Sequence, residues 1–402
     1  MRRALASALC LSLAPFAGTA APTEDWSARI ARDGLAPTRA ALDALAAPTP
    51  DDLFARGAVH FLSGVEAALR LRWSVGLTEP VAPLPVLRLA LPPNPAPEPF
   101  RASLVSETFA ALLSEMDAAS AALAKIGDGD DLGLTVRLAD LWFDIDGSGA
   151  RGPREGLSDV AMGLFLDPWD MPDPPPPAPV IRFDAADAAW LDAYSHLLSF
   201  VGETVLAFDP TAPTEKVLAA RADAAGRLGG GPSGLSMMIG DERIADTVLI
   251  AILTLRQQPD PARTRAAKAD LAALVEGNRA FWTRVAAETD NQSEWIPNPA
   301  QTGAFGLTLP EGTGATWLAV LADLEALSEG RLLAPHFALP PGSGLNLSAW
   351  FENPSPLDLA GWLHGIDALP FAERGPVISG GSWQAFEQVV GGDSLFYALV
   401  LN

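Results

Sequence analysis

Oxygen-bearing side chains and a turn-forming glycine stand at close spacing between residues 144 and 155 of the 402-residue chain. Asp144, Asp146 and Ser148 alternate along the chain, Gly149 follows them, and Glu155 closes the segment. Carboxylate, hydroxyl and carbonyl oxygens are the ligands of hard cations, and calcium takes about six to eight of them. Gly149 allows the backbone to double back with a positive φ, which a side chain would resist. The spacing predicts a metal site without indicating an activity.

The segment 144–155 resembles the twelve-residue calcium loop of EF-hand proteins. Acids stand at positions 1 and 3, a hydroxyl at position 5, glycine at position 6 and glutamate at position 12. The resemblance implies side-chain ligands from Asp144, Asp146 and Ser148. It also implies a carbonyl ligand from Ala150 and a bidentate pair of oxygens from Glu155. The cofactor it implies is one calcium ion, Ca2+.

The residues around the loop follow the EF-hand pattern only in part. Gly152, Pro153 and Glu155 are typical of the N-cap, first residue and capping acid of an outgoing helix. The incoming residues 132–143 contain an alternation of apolar residues that is typical of a strand. Position 8, usually an apolar residue that pairs with a second hand, is Arg151, and the sequence contains no second loop of this pattern. We therefore expect a single calcium site that is structural and not a sensor.

A second group of residues that could do chemistry lies in the most polar turn of the second half. Asp290 and Glu294 flank three polar residues, and Trp295 follows directly. Two carboxylates beside a tryptophan are what a glycan-cleaving enzyme uses, one as acid and the other as base or nucleophile. The alternative is a helix end running into a turn that Trp295 anchors, and we favour that interpretation.

The histidines and the glycine-rich stretch give weaker signals. His60, His196, His336 and His364 are too scattered for a zinc motif, and His196 is expected to be partly buried and hydrogen-bonded. Residues 229–234 are rich in glycine but lack the Gly-Lys-Ser/Thr ending of a phosphate-binding loop. We interpret them as a flexible connection between helices.

The first residues predict export. Two arginines precede an apolar run over 4–16 and small residues over 17–21, which is the pattern of a secretory signal peptide. Cleavage would remove residues 1–21 and with them Cys10, the only cysteine. The mature protein would therefore have no disulfide and no cysteine metal site. Because the composition is rich in Ala, Pro and Gly and the signal is short, we expect a bacterial periplasmic or secreted protein.

Acidic side chains dominate the charge. The chain has 49 Asp and Glu against 27 Lys and Arg, which gives a formal net charge of −22. Such a surface repels nucleic acid and anionic lipid, so nucleic acid is excluded as a partner. The apolar run of the signal is too short to cross a bilayer, with an uncleaved anchor as the alternative. No membrane span is expected in the mature chain.

Abundant Ala and Leu with helical spacing predict an all-α fold. We expect a multi-helix bundle with Pro-rich connections and a few short strands. Long helices are expected over 50–73, 100–126, 184–208, 214–227, 244–255 and 262–289. The segment 244–255 is apolar on most sides and is expected to be a central, buried helix. A short strand is expected over 394–401.

A proline-dense stretch divides the chain. Four consecutive prolines at 174–177 indicate a linker over 167–180. It would separate a helical subdomain over 22–166, which contains the EF-hand-like loop, from a second helical subdomain over 181–402. Together these features predict an exported, soluble helical protein with one structural calcium site and a role in binding or scaffolding. Glycan hydrolysis is the alternative function.

Overall fold

Helices dominate the part of the chain that the structure describes. The computed structural model describes residues 24–78, 89, 91–160, 177–229, 242–306, 308–392 and 394–401. The helices are, in chain order, α1 Trp26–Asp33, α2 Leu35–Asp43, α3 Pro50–Ser74, α4 Leu104–Leu123, α5 Ala185–Phe208, α6 Thr211–Leu228, α7 Glu242–Leu255, α8 Pro261–Val285, α9 Thr313–Ser328, α10 Leu347–Glu352, α11 Leu359–His364, α12 Gly381–Val389 and α13 Ser394–Leu401. The strands are β1 Leu134–Arg137, β2 Val180–Phe183, β3 Ser343–Leu345 and β4 Ala372–Arg374. Strands β1 and β2 form one antiparallel sheet, and β3 and β4 form another. The expected mostly helical fold with a few short strands is confirmed.

Side-chain caps fix where two long helices begin. Thr49 and Asp52 form a reciprocal capping box at the start of α3, where Pro50 fills the first helical position. Asp184 and Asp187 form the same arrangement at the start of α5. These caps are local sequence signals, so the two helices begin where the sequence predicts them.

The long helices pack as a row. Helix α3 packs on α4, α4 on α5, α5 on α8, α8 on α9, and α9 on α12. Gly277 of α8 permits a close approach to α5, because a Cβ at this position would lie 3.1 Å from the Cβ of Ala193. Phe109 and Leu112 of α4 and Phe281 of α8 are fully buried between the helices. The apolar stripes of these helices therefore form the core.

Residues from both sides of the predicted linker share this core. Strands β1 and β2, one before and one after the proline-dense stretch, pair with each other. Phe109 and Leu198 belong to one hydrophobic cluster although the linker separates them in sequence. The linker over 167–180 lies mostly outside the described residues, so the division into two subdomains stays a prediction. The signal peptide over 1–21 lies wholly outside them, and the glycine-rich stretch over 229–234 does so except for its first residue.

Helix α7 is not the buried central helix that its composition predicts. Ile244, Val248 and Leu249 are exposed by 54%, 53% and 45%. The helix lies beside α6, where the Arg221 guanidinium donates to the Asp246 carboxylate at 2.8 Å. Apolar composition tells how much surface a helix can bury but not which element packs on it. The expectation of a central position is therefore wrong.

The end of the described chain is helical where a strand was expected. Residues 394–401 form α13, and Leu401 is fully buried. A short apolar run is compatible with either a buried strand or a buried helix, so the sequence alone does not separate them.

Across the described ranges, no helix has both the length and the apolar content that crossing a bilayer requires.

Candidate metal centre

Backbone hydrogen bonds bring the two ends of the loop 144–155 side by side. The Phe143 N–H donates to the Glu155 carbonyl at 2.8 Å, and the Leu157 N–H donates to the Leu141 carbonyl at 2.9 Å. These two bonds flank a single antiparallel β-bridge. The loop therefore leaves and returns to the fold at one place, which keeps its first and last acids close together.

Three of the predicted ligands meet. One carboxylate oxygen from each of Asp144, Asp146 and Glu155 lies within 4.8 Å of the others. Glu155 is only 3% exposed, and its Oε1 accepts from the Ile145 N–H at 3.0 Å. Asp144 is half-buried and Asp146 is exposed, so the cluster opens to solvent on one side. Calcium–oxygen distances are about 2.3–2.6 Å, so a single ion can contact oxygens at this separation.

The exposed tip of the loop is held by its own hydrogen bonds. The Gly149 N–H donates to Asp144 Oδ1 at 3.2 Å, and the Ser148 N–H donates to Asp146 Oδ1 at 2.9 Å. The hydrogen bonds from the side chain and backbone of Ser148 lower the pKa of Asp146. Ser148 Oγ also donates to the Ala150 carbonyl at 3.0 Å, so the two predicted neutral ligands contact each other. Gly149 has a φ of +74°, as its predicted role in the turn requires.

Helix α3 contributes two residues that sequence reasoning missed. Glu66 Oε2 accepts from the Asp144 N–H at 2.7 Å, and Arg70 Nη2 donates to Asp144 Oδ2 at 2.9 Å. Burial raises the pKa of Glu66, and the Asp144 N–H and the charge of Arg70 oppose that rise. The two residues form an i,i+4 pair on α3, with Nη2 of Arg70 3.6 Å from Oε1 of Glu66. That spacing was visible in the sequence, but nothing in it pointed to a loop more than seventy residues away.

The chain leaves the loop differently from the prediction. Residues 153 and 154 form a turn, with Arg154 at φ +65°, and helical backbone begins at Leu157. The predicted contact of the capping acid is formed, because Glu155 Oε2 accepts from the Gly152 N–H at 2.5 Å. The helix that was expected to start at Pro153 therefore starts four residues later. Its continuation beyond residue 160 lies outside the described residues.

The chain enters the loop through a strand and a 3-10 turn. Strand β1 ends at Arg137, and residues 138–140 form the turn. Arg151 donates from Nη1 to the Ala139 carbonyl at 2.9 Å, which ties the loop to this turn. The alternation of apolar residues over 132–143 therefore correctly indicated a strand. The incoming flank therefore differs from that of a helix–loop–helix pair, because a strand and a 3-10 turn stand where a helix would be.

A second group of carboxylates comes from residues that follow β2 in sequence. One oxygen from each of Asp184, Glu288 and Glu294 lies within 4.8 Å of the others. Burial and then the charge of Asp184 raise the pKa of Glu288 to about 7. Burial also raises the pKa of Glu294, whose Oε1 accepts from the Gln292 N–H at 2.6 Å. Asp290, which the sequence paired with Glu294, is not one of these three groups, although its charge adds to the rise at both glutamates.

Trp295 is packed on several sides. Its ring centroid lies 5.3 Å from that of Trp190, 6.2 Å from that of Phe183 and 5.8 Å from that of Phe305. These contacts join the turn to α5 and β2. They support the interpretation of Trp295 as an anchor for the turn.

His196 lies in a polar network between three helices. Its Nδ1 lies 2.8 Å from Asp270 Oδ1 and its Nε2 lies 3.2 Å from Ser120 Oγ. Burial lowers the pKa of His196, but the Asp270 hydrogen bond and the charges of Asp192, Asp270 and Asp117 outweigh burial and raise it. Ser120, His196 and Asp270 have the residue types of a hydrolytic triad. However, Ser120 lies inside α4, so its backbone N–H is used by the helix and cannot stabilise an oxyanion. The network joins three helices, and His196 is partly buried and hydrogen-bonded, as the sequence predicts.

Comparison with known proteins adds no relative. No protein-family model, no curated protein and no solved structure matches this chain.

Proposed function

We propose that the protein binds one calcium ion in the loop 144–155 and that the ion stabilises an exported scaffold. The observation that carries the proposal is the meeting of Asp144, Asp146 and Glu155 within 4.8 Å in a loop that is closed at its base. Three carboxylates concentrate negative charge beside the Ser148 hydroxyl, which hydrogen-bonds to Asp146 and lies 3.0 Å from the Ala150 carbonyl oxygen. Those are the donors that calcium selects.

The donor set favours calcium over other metals. Zinc prefers nitrogen and sulfur ligands in a tetrahedral arrangement, and the three clustered side chains offer only oxygen. Magnesium requires a near-octahedral arrangement and gives up its water reluctantly. A loop whose tip is exposed can adapt its oxygens to the larger, more tolerant calcium ion. The ion would contact Asp144, Asp146 and Glu155 through carboxylates, with Ser148 and Ala150 completing the set.

A structural role follows from how the loop is anchored. Phe143 and Ile145, on either side of Asp144, are 2% and 0% exposed. The loop base is also hydrogen-bonded to Glu155 and to α3. A sensor hand exposes an apolar groove when it fills, and the burial of these two side chains opposes such an opening. We infer that the ion stiffens the fold and that the protein's role is binding or scaffolding.

The test is calorimetry of calcium binding to the protein and to two variants. Glu155→Gln removes the charge and one of the two carboxylate oxygens, so calcium affinity is expected to fall at least about tenfold. Asp290→Asn removes one charge from the polar turn and should leave the affinity unchanged. Equal affinity in the wild type and in Glu155→Gln would place the ion elsewhere. A wild type that binds no calcium would end the proposal.

Export belongs to the same proposal and has its own test. The arginine pair, apolar run and small residues of 1–21 are its only support. Expression of the full chain in a bacterial host should yield protein outside the cytoplasm with Ala21 or Pro22 at its N-terminus. N-terminal sequencing that returns Met1 from all the protein would contradict it.

Glycan hydrolysis is the alternative function, and one observation favours it. The carboxyl group of Glu288, with its pKa raised to about 7, can hold a proton near neutral pH beside Glu294. A proton donor next to a second carboxylate is the arrangement of a glycosidase. Release of reducing sugar from polysaccharides, abolished by Glu294→Gln, would establish this activity. The absence of turnover on a broad glycan panel would leave the cluster with a structural role.

A further inference from the structure

A cation already contacts the first acid of the loop. Arg70 donates from Nη2 to Asp144 Oδ2 at 2.9 Å and to the Asp144 carbonyl at 2.7 Å, and from Nε to the same carbonyl at 3.0 Å. The other carboxylate oxygen, Oδ1, accepts from the Gly149 N–H inside the loop. Arg70 therefore takes the Asp144 oxygen that the loop does not use for its own hydrogen bonds. Its side chain is 45% exposed, so it is free to move into solvent.

We propose that Arg70 competes with calcium for Asp144 and so sets the calcium affinity of the loop. This inference rests on the proposed function, because it concerns the same site. An arginine held beside a ligand carboxylate opposes the entry of a divalent cation in two ways. Its positive charge repels the ion, and its hydrogen bonds must be broken or rearranged before Asp144 Oδ2 can turn to the metal.

Glu66 provides the alternative partner that makes the exchange feasible. It is one helical turn before Arg70 on α3, with Oε1 3.6 Å from Arg70 Nη2. Glu66 is 7% exposed and also accepts the Asp144 N–H. When calcium binds Asp144, the guanidinium can shift to Glu66 along its own helix and keep a carboxylate partner. Occupancy of the loop is thereby linked to the last turns of α3.

The experiment compares calcium affinities of the full chain and of charge-matched variants by calorimetry. Arg70→Met removes the competing cation and should tighten calcium binding about tenfold. The control is Arg32→Met, which removes the same charge from an exposed position of α1. The Arg32 guanidinium donates to Asp33 and not to a ligand of the loop. Its removal should change the affinity by less than about threefold, since only a screened, longer-range charge is lost.

A second variant covers the case in which Arg70→Met does not fold. Arg70→Lys keeps the charge but lacks the planar fork that contacts both the carboxylate and the carbonyl of Asp144, so it should bind calcium more tightly than the wild type, by about two- to fourfold. Circular dichroism establishes folding before each titration.

The outcomes separate this inference from the proposed function. If the wild type binds calcium and Arg70→Met binds it no more tightly than Arg32→Met, Arg70 is not a competitor and the inference fails alone. If Arg70→Met binds more weakly, Arg70 positions Asp144 for the ion and the inference is likewise wrong. If neither the wild type nor Arg70→Met binds calcium up to about 10 mM, beyond the range of extracellular sites, both proposals fail.

Discussion

Trp317 Nε1 lies 3.0 Å from Asn278 Oδ1 and donates a hydrogen bond to it between α9 and α8. Asn278 is fully buried, and its Nδ2 donates to the Leu401 carbonyl at 2.8 Å. Asn278→Ala would leave the Trp317 N–H and the Leu401 carbonyl without this partner in the core. We expect it to lower the free energy of unfolding by about 2–4 kcal/mol, measured by urea denaturation. Thr283→Ala, at an exposed position of α8, is the control and should change it by less than about 0.5 kcal/mol.

His196 makes stability depend on pH in the neutral range. Its pKa is raised in the folded protein, so the proton is bound more tightly there than in the unfolded chain. The resulting stabilisation is complete below the unfolded value of about 6.5 and is lost as pH rises through the folded value. Replacing His196 with Gln should lower stability by about 1–2 kcal/mol at pH 5.5 and less at pH 8.5. The exposed His364→Gln is the control, and a parallel loss at both pH values would contradict the prediction.

Glu288 is expected to act in the same direction at lower pH. Its folded pKa of about 7 exceeds the ordinary value of 4.5, so the folded state holds a proton that the unfolded state releases. Stability therefore falls as pH rises from about 4.5 to 7. Glu288→Gln keeps an acceptor for Gln301 and removes the charge, so it should stabilise the protein at pH 8 by about 1–2 kcal/mol after allowance for solvent screening. Thermal melting at pH 4.5 and pH 8 tests this, with the exposed Glu276→Gln of α8 as the control. A gain of equal size at both pH values would assign the effect to packing.

Removal of calcium is expected to weaken the fold without opening it. At a tenfold excess of calcium over the dissociation constant, binding stabilises the folded state by about 1.4 kcal/mol. For a chain of this size that corresponds to a fall of only a few degrees in melting temperature when a chelator is added. Binding of a hydrophobic dye at room temperature should not change. Strong calcium-dependent dye binding by the folded protein would mean that the loop works as a sensor.

The parts of the fold that local chemistry determines were predictable. Thr49 with Asp52 and Asp184 with Asp187 are capping pairs three residues apart, and both helices begin at them. The meeting of Asp144, Asp146 and Glu155 was predictable for a similar reason. All three residues lie within one turn-rich segment of twelve residues, so their spacing along the chain already indicates that they can meet.

The parts of the fold that long-range packing determines were not predictable from the sequence. Asp184 and Glu288 are 104 residues apart in sequence, and no spacing rule links them, although their carboxylates meet. Asp290 was the closer candidate in sequence to Glu294, but the backbone directs Glu294 towards the start of α5. Arg70 and Glu66 approach the loop only because α3 packs against it. The exposure of α7 likewise depends on which other helices pack against it, and its own sequence does not determine that.

The bond from the Phe143 N–H to the Glu155 carbonyl, 2.8 Å long, makes the loop a segment that can be exchanged. It is made by backbone atoms, and it places the entry and exit of a twelve-residue segment next to each other. A different sequence of the same length, such as a lanthanide-chelating peptide, can be exchanged for the segment without separating its two anchors. The substituted protein would carry a luminescent or paramagnetic centre beside α3. Distances measured from that centre would then map the positions of the other helices in solution.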